Sequence, residues 1–281
     1  MPLADGYNGV AAAPLLRFPE GPLATMSVNP YDSPKTAGQA PEGKPWIRFR
    51  LVELLVVVGI IGVLIAMLLP AVRSSGEASR RSMCSNNLKQ IAIALLNYES
   101  AYHCLPPAYT VDADGKPLHS WRTLILPYME QKALYETIDL SKPWDDPANQ
   151  AAYDTKISAY QCPSANNPAG QTSYLAVVGP GCCFLATQPR RLAEITDDHG
   201  LTLMVIEVDA EHAAHWMSPT DATERSILSF GEARRLPHPG GTQAVFADGH
   251  VRFLGKNIKP ATLRAAISVA GNDNDAAREI D

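Results

Sequence analysis

The sequence predicts an α+β protein in which a long N-terminal helix spans a membrane and runs on into a head built around an antiparallel sheet. Three observations carry this. The run LVELLVVVGIIGVLIAMLL, Leu51 to Leu69, holds one ionisable residue. A following stretch repeats apolar residues at steps of three and four. Later segments alternate or stay apolar over strand lengths and break at Gly, Asp and Pro.

Residues 1–47 hold eight prolines and five glycines and no sustained apolar periodicity. Such a segment buries too little surface to offset the entropy of ordering. It reads as a disordered cytoplasmic tail, and Met26 offers a second starting point for the chain. Residues 48–102 read as one helical segment. Within it, residues 51–69 as an α-helix extend roughly 28 Å, close to the thickness of a bilayer's hydrocarbon. They lack the polar face of a water-exposed amphipathic helix. Lys44, Arg48 and Arg50 precede the run while Arg73, Arg80 and Arg81 follow it, so counting positive charges barely orients it.

Beyond Pro70 the helical pattern resumes. Cys84, Leu88, Ile91, Leu95, Tyr98 and Tyr102 share one side, and Asn86, Lys89, Gln90 and Asn97 fill the other. Pro106 and Pro107 stop the helix. Residues 103–281 read as a single α/β head. "TSYLAVVG" and "LTLMVIEV" have strand length and composition. "QAVFADGHVRFL" signals a hairpin with a two-residue primed turn at Asp248-Gly249. "PATLRAAISVA" places Pro260 at the first position of a final helix. "DADG" at 112–115 resembles half of a calcium loop but lacks the later acidic ligand, so it reads as a turn.

Composition narrows the function classes. The net charge of -5 comes without a Lys/Arg block, so no nucleic-acid partner is expected. Five cysteines are too few for a disulfide scaffold and lack Cys-x-x-Cys spacing. His212 and His215, beside Asp209 and Glu211, would share a face if helical and form a candidate metal pair. They do not form His-Glu-x-x-His, and surface or capping roles are the simpler reading. His238, Asp248 and His250 invite a hydrolytic reading, yet no Gly-x-Ser-x-Gly accompanies them. No catalytic residue, metal or cofactor is assigned, and the protein is not expected to be an enzyme.

The segment beginning "FRLVELLVVVGIIGVLIAMLLPAV" at Phe49 resembles the N-terminus of type IV prepilins and secretion-system pseudopilins. The resemblance implies a processing and assembly motif at Arg48, Phe49, Arg50, Leu51, Val52 and Glu53. It also implies a pseudopilin-like head outside the cytoplasm. Arg48 stands where that family has Gly, and a peptidase needing close backbone approach meets a side chain there. The leader is therefore expected to stay uncut, with Arg50 facing Glu53 on the helix. "RRSMCSNNLKQIAIALLNY", "YQCPS" and His238 nine residues ahead of Asp248-Gly249 are together similar to a pilin-like family of planctomycete bacteria without established biochemical function. With the head outside the cytoplasm, a disulfide from Cys162 to Cys182 or Cys183 becomes an expectation. Cys84 reads as a small buried residue.

The expected protein is thus a single-pass inner-membrane protein, N-terminus in the cytoplasm, with a type II secretion-like, structural or interaction role at the cell envelope. Its expected partners are the lipid bilayer and like subunits or other pseudopilins. Two alternatives stand beside it. One is an extracytoplasmic solute- or polymer-binding module. The other is a metal-dependent hydrolase using His212, His215, His238 and His250.

Overall fold

The computed structural model describes residues 50–165, 167–229 and 236–280, with the side chains of 68–75 left aside. The tail at 1–47 and the expected motif residues Arg48 and Phe49 lie outside the described residues.

Helix α1 is unbroken from Leu51 to Tyr102. At its start the Arg50 N–H donates to Glu53 Oε2 at 3.2 Å, so Glu53 caps the first turn, where a carboxylate also suits the positive end of the helix dipole. At its end His103 takes a left-handed conformation (φ 59°) and its N–H donates to Glu99 O. That closure precedes Pro106 and Pro107, which cannot extend the ladder.

The expected membrane span is overturned. Among the described residues no helix is long and apolar enough to cross a membrane. Helix α1 carries Glu53 in its first turn and Glu77, Arg80 and Arg81 further on, so its 52 residues do not make one apolar span. The single-pass inner-membrane placement falls with the span. So do the pseudopilin and type II secretion assignments built on that anchor.

The α+β head itself has the expected antiparallel character. Strands β1 (Tyr109–Val111) and β2 (Pro117–Ser120) form one small ribbon, and β3 (Gln171–Thr172) pairs with β6 (Ala214–His215) in another. The main sheet comprises β4 (Tyr174–Val178), β5 (Leu203–Glu207), β7 (Ala222–Thr223), β8 (Gly241–Phe246) and β9 (Val251–Gly255). Its order is β7-β4-β5-β8-β9, antiparallel throughout except for the short parallel edge between β4 and β7. Short helices α2 (Trp121–Leu124), α3 (Lys132–Tyr135), α4 (Gln150–Tyr153), α5 (Glu224–Leu228), α6 (Pro260–Ile267) and α7 (Asn274–Ala277) fill the connections.

Two apolar layers follow from the strand alternation. One contains Cys84, Leu88, Ile91 and Leu95 of α1 together with Val205 and Val245 of the sheet. The other contains Leu175, Ile206 and Phe246 with Ala266 and Ile267 of α6. The four α1 residues are fully buried, which confirms the helical face read from their spacing. Each such side chain contributes roughly 1.5–3 kcal/mol of burial. Tyr102, assigned to the same face, is exposed because the helix has by then passed the edge of the core.

The β8–β9 hairpin differs from the expected two-residue turn. The Gly249 N–H donates to Phe246 O, the Phe246 N–H donates to His250 O, and only Gly249 has positive φ (89°). The loop therefore holds three residues and ends on a left-handed glycine, a geometry that adds local twist.

Candidate functional site

Four side chains distant in sequence meet in the interior. Cys84 comes from α1, Glu207 closes β5, Cys162 follows a short 3-10 turn, and His238 sits just ahead of β8, where it bridges Gly241. One ligand-type atom from each lies within 4.8 Å of all the others. Cys84 and Glu207 are fully buried, His238 is 1% exposed and Cys162 3%.

Local structure explains how each is held. Cys84 lies one turn from Leu88 on the buried face of α1. The Cys162 loop is pinned to the same helix, because Asn87 Nδ2 donates to Gln161 O at 2.8 Å. Gln243 Nε2 on β8 donates to Arg81 O at 2.6 Å, which brings the sheet against that turn of α1. The two thiol sulfurs are 2.7 Å apart.

His238 is gripped from both sides. Its Nδ1 is 2.9 Å from Glu77 Oε1, and Glu77 is itself held by Arg80 at 2.6 Å and by Ser164 Oγ at 3.2 Å. Its Nε2 is 3.1 Å from Glu207 Oε2 but out of line for a hydrogen bond. Nε2 and both Glu207 carboxylate oxygens therefore have no hydrogen-bond partner, and neither does the nearby Tyr174 hydroxyl. Buried polar atoms without partners are uncommon, since each forfeits its hydration.

The electrostatics follow from this crowding. Burial draws the His238 pKa down, but its contacts with Cys162, Glu207 and Glu77 prevail and hold it at about 10. The Cys84 contact and then burial push the Cys162 thiol well above its ordinary range. Burial also lifts Tyr174, reinforced by Glu207 and the two cysteines. Burial would raise Glu77, yet His238, Arg80 and Ser164 bring it below the usual carboxylate value. Without a cation, then, the group is a protonated imidazole between Glu77 and Glu207, beside two sulfurs. With one, it offers two sulfurs, one nitrogen and one carboxylate oxygen, a donor set suited to zinc.

A second buried polar group has another character. Arg122 is fully buried and makes five hydrogen bonds: to Trp216 O, Tyr174 O, Ser218 O, Thr220 O and Asp221 Oδ1. Asp221 Oδ1 also accepts from Trp121 Nε1 and the Ala176 N–H. This group ties the α2 segment to β4 and to the segment ahead of β7.

Of the residues singled out from sequence, Cys84, Cys162 and His238 converge, whereas the four histidines of the hydrolase reading do not. His212 lies in an exposed turn with Nδ1 2.8 Å from Asp209 Oδ1. His215 sits on β6, not a helix, with its ring stacked on Tyr153 at 3.9 Å between centroids. The helical spacing argued for that pair therefore has no helix to act on. His250 pairs with Asp248 at 2.6 Å beside the hairpin turn. Among the described residues His238 alone of the four belongs to a metal-capable group. All five cysteines carry free thiols, and Cys162 stands against Cys84. Asp112 Oδ1 accepts from the N–H groups of Asp114 and Lys116, an ordinary turn.

Sequence reasoning missed Glu207 and Glu77. Both left a signal. Glu207 is the one acid in an otherwise apolar strand, a position where an ionisable group calls for a partner. Glu77 lies seven residues before Cys84, which puts it on the same face of α1. The head also has a cavity of about 580 Å³ lined by Leu175, Ile206, Ala222 and Ile227, with Glu207, Asp209 and Thr220 at its polar side.

No curated protein and no solved structure matches the chain. The prepilin-like segment and the His238, Asp248 and Gly249 motif fall outside the family match, which takes in Glu77, Cys84, Cys162 and Glu207. That match, to the family labelled SBP_bac_10 and described as a protein of unknown function (DUF1559), covers residues 73–231, more than half of the chain, and the chain belongs to this family.

Proposed function

We propose that the protein is a structural or interaction protein and not an enzyme, and that it associates with like copies of itself through the first part of α1. One observation supports this reading above the others: from Val56 to Met67 the large apolar side chains of α1 are exposed, among them Ile60 at 55%, Leu64 at 54% and Met67 at 73%. A contiguous apolar surface of this kind marks an interaction site. The run is apolar all round and no shallow groove could cover it, whereas a bundle of identical helices covers every side. Gly59 and Gly62 leave open space at the helix surface, room for a neighbouring backbone to approach.

Sedimentation velocity on the full chain tests the reading. The expected result is concentration-dependent association that is abolished in an Ile60→Gln, Ile61→Gln, Leu64→Gln variant. A chain that stays monomeric at high concentration overturns it, as does one that binds lipid vesicles without self-associating.

A second reading, a small-molecule-binding head, draws on the 580 Å³ cavity, whose size and mixed lining suit a compact ligand. A fragment screen by ligand-observed NMR, repeated on an Ile206→Trp variant that fills the cavity, checks it. Hits unaffected by the filling count against it.

A further inference from the structure

We propose that Cys84 Sγ, Cys162 Sγ, Glu207 and His238 Nε2 together hold one zinc-class divalent cation that fastens α1 to the sheet of the head. The donor chemistry comes first. Two sulfurs, an imidazole nitrogen and a carboxylate oxygen make up four ligands of the types zinc takes. Bond lengths near 2.0–2.3 Å place tetrahedral ligands about 3.3–3.8 Å from one another. The observed group, every atom within 4.8 Å of every other, reaches that arrangement by small side-chain shifts.

The unsatisfied atoms supply a second, independent line. His238 Nε2 and both Glu207 oxygens are buried, close together and without hydrogen-bond partners. The buried Arg122 side chain, by contrast, is saturated. A cation on their common side supplies a partner for Nε2 and for a Glu207 oxygen at once.

The outer contacts make a third line. Metal-bound histidines usually donate their other ring nitrogen to a carboxylate, which fixes the tautomer and the ring orientation. Glu77 Oε1 lies 2.9 Å from His238 Nδ1, with Arg80 and Ser164 holding Glu77 in turn. With Nδ1 protonated toward Glu77, Nε2 turns its lone pair toward Glu207 and the cysteines. Glu77 is thus a positioning residue.

Loading involves no change of oxidation state. Each thiol gives up its proton to solvent as its sulfur bonds the cation, the imidazole gives up its Nε2 proton and binds as the neutral ring, and the carboxylate binds as it is. Four protein ligands in a group no more than 3% exposed leave no open position for a substrate, so the ion is structural. This inference stands apart from self-association, since it concerns how α1 is held and not what its exposed part meets.

The test uses the full chain, purified without chelator. Mass spectrometry of metals is expected to give one zinc per chain, and zinc X-ray absorption on the unaltered protein two sulfur neighbours. Zinc is lost in the Cys84→Ser, Cys162→Ser variant. In Glu77→Gln, which leaves all four ligands in place, affinity falls about 10- to 100-fold. The proposal is overturned by a chain that takes up no zinc on titration, by bound zinc without sulfur neighbours, or by a Cys84–Cys162 disulfide in the freshly isolated protein. Because absorption reads the unaltered chain, a variant that fails to fold does not blunt the result.

Discussion

Arg122 with Asp221, and His238 with Glu207, are two buried charge pairs in one head, and they are finished in opposite ways. Arg122 uses its five donors on four backbone carbonyls and one carboxylate oxygen, and that oxygen takes three donors. His238 and Glu207 approach within 3.1 Å yet leave Nε2 and two carboxylate oxygens bare. Burial alone therefore does not distinguish a structural ion pair from a binding group. What distinguishes them is how far the protein has supplied the partners itself. The first pair leaves one atom, Asp221 Oδ2, without a partner, and the second leaves three.

The comparison can be broken at its strong end first. Arg122→Met removes the cation and leaves Asp221 buried against apolar surface, and it is expected to destabilise the chain by about 3–5 kcal/mol in urea unfolding. A loss under about 1 kcal/mol would mean that the Arg122 network is ornamental, and the contrast would collapse.

Acid titration probes two further buried groups. Burial holds His119 and His215 below the ordinary histidine pKa of 6.5. The unfolded chain then binds protons more readily than the folded one just below that value. Stability contributed by the two neutral rings is present above about pH 6.5 and is lost as pH falls through the window down to their folded values. Melting temperature should decline between about pH 7.5 and pH 5.5, and a His119→Gln, His215→Gln variant should decline less. An unchanged slope would show that the rings titrate alike in both states.

Asn87→Ala asks whether the Cys162 loop is held by α1 independently of its sulfur. Losing the bond to Gln161 O should cost about 0.5–1.5 kcal/mol. In the metal-free chain Glu207→Gln removes one of the two carboxylates beside the His238 ring, 3.1 Å from Nε2, and the His238 pKa should fall from about 10 in an NMR titration. An unchanged value would show that Glu207 does not bear on the ring.

Much of the head could be read from the chain. The α1 face from Cys84 to Leu95 followed from steps of three and four. The strands β4, β5, β8 and β9 followed from β-branched runs and a Gly-marked turn. These signals are local, so they survive without tertiary information. The hairpin turn was misjudged by one residue because Asp248-Gly249 fits either a two-residue turn or the end of a three-residue one. The membrane span was misread for a different reason. Leu, Val and Ile at Leu51–Met67 have the same composition whether lipid or protein is to cover them, so composition alone does not separate the two.

The site was half legible. Cys84, Cys162 and His238 stood in recognisable motifs, but their convergence depends on closing the chain across the whole head. His212 and His215 looked more like ligands because sequence spacing suggests a helix that β6 replaces. Glu207 was marked only by its place at the end of an apolar strand, and Arg122 looked like an ordinary charge with nothing local to show that the fold buries it.

The distances along the chain that separate these partners bear on how the molecule is made. Cys84 meets Cys162 across 78 residues, Glu77 meets His238 across 161, and Arg81 meets Gln243 across 162. Helix α1 leaves the ribosome early, yet the strands that cover Leu88, Ile91 and Leu95 arrive much later. Non-local closure of this kind slows folding, since chain entropy must be lost before contacts repay it. For that interval the nascent helix is bare along both its parts, the one the head will cover and the one it never covers. A protein so arranged is most prone to aggregate while it is being synthesised, and its greatest need for a chaperone falls before β8 and β9 have emerged.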